Sequence, residues 1–596
     1  MKRIFIITPL LIAFLSSCVS EVSNSWIRVN YLGYLPNDFK NAIYVSKLDE
    51  EITSFSILDA IENITVYSSD SIINKGSYGP FKTTFRLNFS AFQIPGKYFI
   101  KVNNIKSEVF SIGENIYNNT ADVLLEYMRQ QRCGFNPFLN EYCHLDDGFI
   151  VYHPSKSGEH DDFTGGWHDA TDYLQYTTTS ANAIYQMSLA FDENPKAFED
   201  DFQSNGVKGK NGIPDIIDEI KHGTDWLIKM NPNKDEYYNQ IADDRDHAGY
   251  RLPHLDQVVY DSVLKGRPVY FINGEEQGLG KFKNKTNGKA SSVAKFASSF
   301  AKASKVLSKH YPSYSNEILK KAIDAYDFAK KYPGVSQTAS NKAPYYYEEE
   351  NWIDDMELAA ASLFEITNEI GYKQDAIDFS KREKISPWIG KDSIRHYQFY
   401  PFFNAGHYQG AKNFDLKNKK ELLSYYDEGL NIIYQRGMDN AFFYGIPFVW
   451  CSNNYVAAIL TQSRLYNKLS GDGKYLEMET LLRDWIFGCN PWGKSMIVDL
   501  PNNNFSAQEP HSSLWVLNEY QTRGGLVDGP VYGSIFNNLI GIELYKKDLL
   551  EDFQSDLAVY HDDAGDYSTN EPTMDGTASL IYYLSSLSNS SRGSSL

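Results

Sequence analysis

"ASSVAKFASSFAKASKVLSKH", residues 290–310, sets apolar side chains at i, i+3 and i+4, with Val293, Phe296, Ala297 and Phe300 on one helical face. The same period recurs in "TADVLLEYMRQQ" (120–131), "IPDIIDEIKHGTDWLIKM" (213–230), "DDMELAAASLFEIT" (354–367), "NNYVAAILTQSRLYNKL" (453–469) and "GTASLIYYLSSL" (576–587). About twelve such segments fall between residues 114 and 588, with no regular alternation of strand and helix. That excludes a doubly wound α/β sheet. Helix hairpins joined by long loops fit an α-solenoid or a closed α/α barrel, and the lack of a fixed repeat disfavours the solenoid. The Ser-rich stretch from Ser585 to Leu596 reads as a frayed end.

Upstream the period changes to that of short strands. "WIRVNYL", "NAIYVS", "SFSILDA", "ITVYSS", "TTFRLNF", "KYFIKV" and "SEVFSI" lie between residues 26 and 112, separated by Gly, Asn, Pro and Asp. This spacing predicts an all-β sandwich over residues 25–113. Without a Cys…Trp…Cys pattern it is immunoglobulin-like in shape only.

The chain starts with Lys2 and Arg3, an apolar run from Ile4 to Phe14, and Leu15-Ser16-Ser17-Cys18. Residues 1–17 have the layout of an export signal. Leu-Ser-Ser-Cys resembles the bacterial lipobox, in which Cys18 would be lipidated; an ordinary signal with a chance cysteine is the alternative. Past Cys18 no apolar run reaches the ~20 residues of a membrane helix. The expectation is an exported lipoprotein, monomeric, held to a bacterial outer membrane through lipid alone and facing the surface or the periplasm.

The net charge of −19 repels nucleic acid. Aromatics make up 15% of residues, with 43 Tyr. Tyr can stack on a sugar face while its hydroxyl bonds the sugar oxygens, which turns the reading toward carbohydrate.

Two acidic clusters are candidates for chemistry. "GGWHDATDYLQY" (165–176) holds Asp169 and Asp172, and "YHDDAGDYSTNEPTMDGTA" (560–578) holds Asp562, Asp563, Asp566 and Glu571. A helix N-terminus explains the first pair and a solvated loop the second. Glycoside hydrolysis explains both. It needs one protonated carboxyl for the leaving oxygen and one ionised carboxylate for water or for carbon.

Both clusters carry a family resemblance. "GGWHDATDY" resembles the Gly-Gly-Trp-x-Asp-Ala-Gly-Asp-Tyr signature of glycoside hydrolase family 9, and "YHDDAGDYSTNE" its C-terminal signature. "FGCNPWGKS" (487–495), "PH" (510–511) and "GGLVDGP" (524–530) fall between them in the family's order. "IRVNYLGYLPNDFKNAIYVS" (27–46) resembles the immunoglobulin-like module of many bacterial members. The resemblance implies an (α/α)6 barrel over residues 114–588, acting with inversion mostly on β-1,4-glucans. It implies Asp172 as general base, Asp169 as a holder of the attacking water, and Glu571 as general acid with a raised pKa.

The chain departs from that pattern in two places. Thr171 stands where the family has Gly. "PHSS" keeps His511 but puts Ser512 and Ser513 where the family has His and Arg, removing a bidentate donor. The substrate is therefore open to difference from plain cellulose. Trp450 in "WCSNN" resembles a cleft position and reads as a sugar platform or as core; Tyr567 is a further candidate contact.

Cys133, Cys143, His144 and His168 make a closed zinc set suited to structure, and some family members carry such a zinc. A Cys133–Cys143 disulfide is the alternative, and His160 is an alternative fourth ligand. Cys451 and Cys489 read as buried thiols on helical stretches. Asp354, Asp355 and Glu357 match an acidic pair that often binds calcium in the family, and equally an acidic helix start.

The leading reading is an inverting β-1,4-glucanase of cellulase type. The alternatives are an exo-acting β-glucosidase or β-glucosaminidase on oligosaccharides, or a non-catalytic surface glycan-binding lipoprotein. The last has no physical need for all of Asp169, Asp172 and Glu571.

Overall fold

A computed structural model describes residues 23–588 except 344 and 396. The signal segment and Cys18 lie outside the described residues. Nine strands form first: β1 (Ser25–Arg28), β2 (Asn41–Ser46), β3 (Phe55–Asp59), β4 (Thr65–Ser69), β5 (Ile72–Tyr78), β6 (Phe81–Asn88), β7 (Gly96–Val102), β8 (Ile105–Lys106) and β9 (Phe110–Ile112). One antiparallel sheet runs β1-β2-β6-β5; the other runs β4-β3-β7-β8, with β9 also paired to β7. Tyr44 faces Phe85 across the first, Ile57 faces Ile100 across the second, and these four side chains share one core. Two apolar faces packed this way make a sandwich.

The helices follow in outer–inner pairs. They are α1 (Thr120–Gln130) and α2 (Thr177–Glu193), α3 (Asp215–Lys229) and α4 (Ala290–Leu307), α5 (Pro312–Lys331) and α6 (Ile353–Thr367), α7 (Ile370–Arg382) and α8 (Ala405–Asn413), and α9 (Leu416–Gly437) and α10 (Ser452–Ser470). Then come α11 (Leu476–Ile486), the short α12 (Ser513–Asn518) and α13 (Gly533–Phe536), and α14 (Met574–Leu587). Contacts run from α2 to α4, α6, α8, α10 and α14, and back to α2, closing a ring of six.

Burial separates the two layers. Every residue of α4 is buried except Lys305, whereas α5 buries one stripe through Ser315, Ile318, Ala322, Tyr326 and Ala329. A helix buried all round sits inside; one buried along a single stripe sits outside. Phe300 is fully buried in α4, and replacing such a side chain by Ala costs about 3–5 kcal/mol. The fold is thus the expected β-sandwich followed by an (α/α)6 barrel. Among the described residues no helix is long and apolar enough to cross a membrane.

The domains share a seam. Arg28 donates to the Pro491 carbonyl at 2.7 Å, Asn30 Nδ2 to Asp484 Oδ1 at 2.7 Å, and the Tyr31 N–H to the Phe487 carbonyl at 2.9 Å. Ile43, Val45 and Phe81 of the sandwich belong to the barrel's core. The "FGCNPWGKS" motif lies on this seam: a Cβ at Gly488 would meet the Tyr31 ring at 2.2 Å.

Three local expectations change. β5 and β8 were not legible, because β5 is an exposed edge with Asn-Lys-Gly at its bulges. A four-stranded sheet of Phe149–Val151, Pro268–Phe271, Tyr238–Ile241 and Gln175–Tyr176 orders the barrel's loops. The C-terminal helix continues past Ser585, which is buried, to Leu587.

Candidate active site

The alternation of layers brings the loops that precede the inner helices to one end of the barrel. Asp172 lies five residues before α2, Trp450 two before α10, and Glu571 three before α14. The first turn of α2 holds no acid, so Asp169 and Asp172 are not its N-terminal dressing. They belong to a tight loop instead, closed by Asp169 N–H to the Leu174 carbonyl at 2.9 Å and by Leu174 N–H to Asp172 Oδ1 at 3.1 Å. Gly166 makes the approach to this loop feasible. It has φ +72°, and a Cβ there would lie 2.6 Å from the Trp226 ring.

Glu571 is set by a short ladder in which Leu526 faces Thr573 and Val527 faces Pro572. This explains "GGLVDGP": it is the strand under the acid. Thr171 N–H donates to Glu571 Oε1 at 3.0 Å, joining the two acidic loops. The Thr171 hydroxyl donates to the His511 carbonyl, a link that glycine could not make. The other acids of the second cluster shape the loop. Asp562 pairs with Lys494 at 2.7 Å, Asp563 accepts from the N–H groups of Tyr545 and Lys546 at 3.0 Å, and Asp566 pairs with His561 at 2.8 Å.

Asp172, Glu571, His511, Trp450 and Tyr567 line one cavity of about 480 Å³. Trp450 and Tyr567 pack with centroids 5.8 Å apart, and the half-buried tryptophan meets both the cavity and the barrel core. His511 Nδ1 lies 2.6 Å from the Ala564 carbonyl and 2.7 Å from the Tyr250 hydroxyl, which pins the ring at the cavity wall through that nitrogen. Burial lowers the His511 pKa, which keeps that ring neutral.

Asp169 does not share the cavity. It is 4% exposed, and its oxygens accept from Thr179 at 3.2 Å and Tyr347 at 2.9 Å. Burial, then the charges of Asp575 and Asp172, push its pKa well up. It sits behind the loop as a buried carboxyl, gripped by one hydroxyl on each oxygen.

Glu571 is raised to about 8, by burial first and then by the Asp172 charge. A carboxyl that keeps its proton at neutral pH can act as an acid. His247 Nε2 lies 3.2 Å from Asp172 Oδ2. Burial works against its charge, but the Asp172 hydrogen bond and charge prevail and raise it to about 9. An imidazolium thus faces the carboxylate. His247, Tyr250 and Tyr345 also line the cavity and were missed in the sequence. The signal available was "DDRDHAGY" (243–250), a third acidic loop with His, Gly and Tyr.

The cysteine–histidine set is assembled. Cys133, Cys143, His144 and His168 each offer a ligand atom within 4.8 Å of the others, and both thiols are free, without a disulfide. His168 Nε2 to His144 Nδ1 is 3.3 Å, and Cys133 Sγ to His144 Nδ1 is 3.6 Å. Tetrahedral zinc bonds of ordinary length would place N and N about 3.3 Å apart, and S and N about 3.6 Å. His160 is exposed and faces the Asp146 carbonyl, so it is not the fourth member. Cys451 and Cys489 are buried, but they flank helices: Cys451 caps α10 in the left-handed region at φ 57°, and Cys489 follows α11.

The calcium candidates do not fit a cation site. Lys295 of α4, itself buried, places its ammonium 2.9 Å from Asp355 and 2.5 Å from Glu349. Glu357 faces His407 at 2.7 Å and Asn404 at 2.9 Å, and Asp354 accepts from Asn351 at 2.6 Å. An internal ammonium already supplies positive charge at this helix start.

Comparison with known proteins places these features. A sequence profile described as "Glycosyl hydrolase family 9" matches residues 117–584, and one described as "Cellulase N-terminal ig-like domain" matches residues 22–107. A xyloglucan-specific endo-beta-1,4-glucanase of Bacteroides ovatus is 26% identical, over 95% of this chain and 94% of its own length. A cellodextrinase of Butyrivibrio fibrisolvens is 24% identical, over 94% of this chain and 99% of its own. Among solved structures, a Zn-binding triple mutant of a glycoside hydrolase family 9 endoglucanase superimposes with a TM-score of 0.75 at 22% identity, over 93% of this chain and 99% of that one.

Proposed function

The chain belongs to glycosyl hydrolase family 9, and on that premise we propose that it cleaves a β-1,4-linked glucan internally and with inversion, Glu571 being the acid and Asp172 the base. The observation that carries this reading is a single cavity faced by both carboxyls from different loops, with the proton retained on Glu571. Glu571 gives that proton to the leaving glycosidic oxygen as the C–O bond breaks. Asp172 takes a proton from water, and the water oxygen bonds to the anomeric carbon from the opposite face. The β-linkage becomes an α-product, and solvent returns each carboxyl to its starting state. Trp450 and Tyr567 offer faces for a sugar ring.

A branched β-1,4-glucan such as xyloglucan is the substrate favoured by the Bacteroides ovatus relative. Similarity to a cellodextrinase favours oligosaccharides as substrates, and exo-action on them is the second reading. Viscometry beside reducing-end release on xyloglucan, cellulose derivatives and cellodextrins separates them. A fast fall in viscosity marks endo-action, and release without it marks exo-action. No activity on any β-1,4-glucan would refute both.

The Cys133–Cys143–His144–His168 set would hold zinc as a structural ion. Lys2 to Cys18 supports export and lipidation; loss of acyl labelling in Cys18→Ser tests that.

A further inference from the structure

The segment from 242 to 267 carries His247 and Tyr250 into the cavity, yet it contains only two single turns of 3-10 helix, Asp244–Asp246 and Pro253–Leu255. A wall without regular backbone pairing is held by its side chains. Asp244 ties its start to the N–H groups of Lys342 and Ala343 at 2.7 Å, and Arg251 anchors its middle: it donates to Asp246 Oδ1 at 2.5 Å, to Asp256 Oδ1 at 2.8 Å and to the Gly249 carbonyl at 3.2 Å. Asp246 precedes His247, which meets Asp172.

The other oxygen of Asp256 points elsewhere. Asp256 Oδ2 lies 3.1 Å from His144 Nε2, while His144 Nδ1 faces the thiol of Cys133. A ligating imidazole commonly has its second nitrogen held by a carboxylate in this way, which fixes the tautomer and the ring. Asp256 therefore serves both the metal set and the cleft wall. Tyr173, next to Asp172, fills the space between them. Its ring lies 4.7 Å from the His168 ring, 5.4 Å from the His144 ring and 4.7 Å from the Arg251 guanidinium carbon. Its N–H donates to Asp246 Oδ1 at 2.8 Å.

We propose that Asp256 and Arg251 are positioning residues that latch the wall at 242–261 to the metal set, so that metal occupancy fixes where His247 meets Asp172. This rests on the zinc reading above. The ion then shapes the cleft from a distance, without touching substrate.

Hydrogen–deuterium exchange on the full chain tests it, beside zinc content by elemental analysis. Stripping zinc from the wild type should speed exchange across 242–261 by about tenfold while the inner helices stay protected. Asp256→Asn should do the same with zinc still bound, although its zinc affinity falls by about 10–100-fold. Its KM should rise more than its kcat falls. Arg251→Gln, which spares the His144–Asp256 contact, should speed exchange with zinc unchanged, and it serves if Asp256→Asn does not fold. Zinc bound, with exchange in the wall unaffected by stripping, overturns the latch and leaves the zinc reading standing. A protein that neither contains nor takes up one zinc per chain overturns both.

Discussion

Thr171 donates its backbone N–H to Glu571 Oε1 at 3.0 Å and its hydroxyl to the His511 carbonyl, so one residue beside the proposed base holds both the proposed acid and a cavity histidine. The backbone bond is available to any residue; the hydroxyl bond is not. Thr171→Val should keep the first and lose the second, raising KM several-fold. The stability loss should be about 0.5–1.5 kcal/mol, as for one hydrogen bond. Thr171→Ser should restore KM. Steady-state kinetics on one glucan checks it, and a Val variant with wild-type KM would deny the hydroxyl any role.

The protonation of Glu571 sets a pH limit. Its carboxyl is held up to about 8, so the competent acid is present below that pH and lost as pH rises through it. The rate on an unactivated glucan should fall along this alkaline limb. Glu571→Gln should cost about 10²–10⁴ in kcat/KM and abolish the limb. Aryl glycosides with good leaving groups should lose far less, because their departure needs no proton.

Asp172 and Asp169 should separate in their effects. Asp172→Asn should cost activity with little change in melting temperature. Asp169→Asn should lower the melting temperature, since a buried amide would meet the hydroxyl donors of Thr179 and Tyr347. Proton NMR of the first-formed product should show the α-anomer. A β-anomer appearing first would mean a covalent intermediate on Asp172.

Zinc should stabilise the fold. Cys143→Ser should lower the melting temperature and the zinc content together, because metal binding energy at a structural site is folding energy.

Calcium should have no effect. Lys295 already lies between Glu349 and Asp355, so added calcium should leave the melting temperature of the wild type unchanged. Lys295→Met strands buried carboxyls and should cost about 3–5 kcal/mol. A calcium-dependent melt of the wild type would contradict this account.

The sequence carried the barrel well, because inner and outer helices both keep the 3.6 period. It pointed to Asp172 and Glu571, which face one cavity, because their loops are local and distinctive. It hid His247, Tyr250 and Tyr345, which come from two separate loops and reach the cavity only when these meet the acidic ones. Lys295 was equally hidden: nothing in "SSVAKFASSF" marks this lysine as the partner of an acid some sixty residues on. The roles of Asp562, Asp563 and Asp566 were not legible either, since acids that accept turn N–H groups look the same in sequence as acids that do chemistry.

The seam between sandwich and barrel bears on how the protein can be engineered. Because Ile43, Val45 and Phe81 complete the barrel's core, a catalytic fragment trimmed to begin near residue 114 would face water with a greasy scar. Such a fragment should express mainly as inclusion bodies, while the intact pair stays in solution. The N-terminal module is thus closer to a permanent lid on the barrel than to a tethered accessory, and exchanging it for an unrelated binding module would fail at this seam before reaching the question of what it binds.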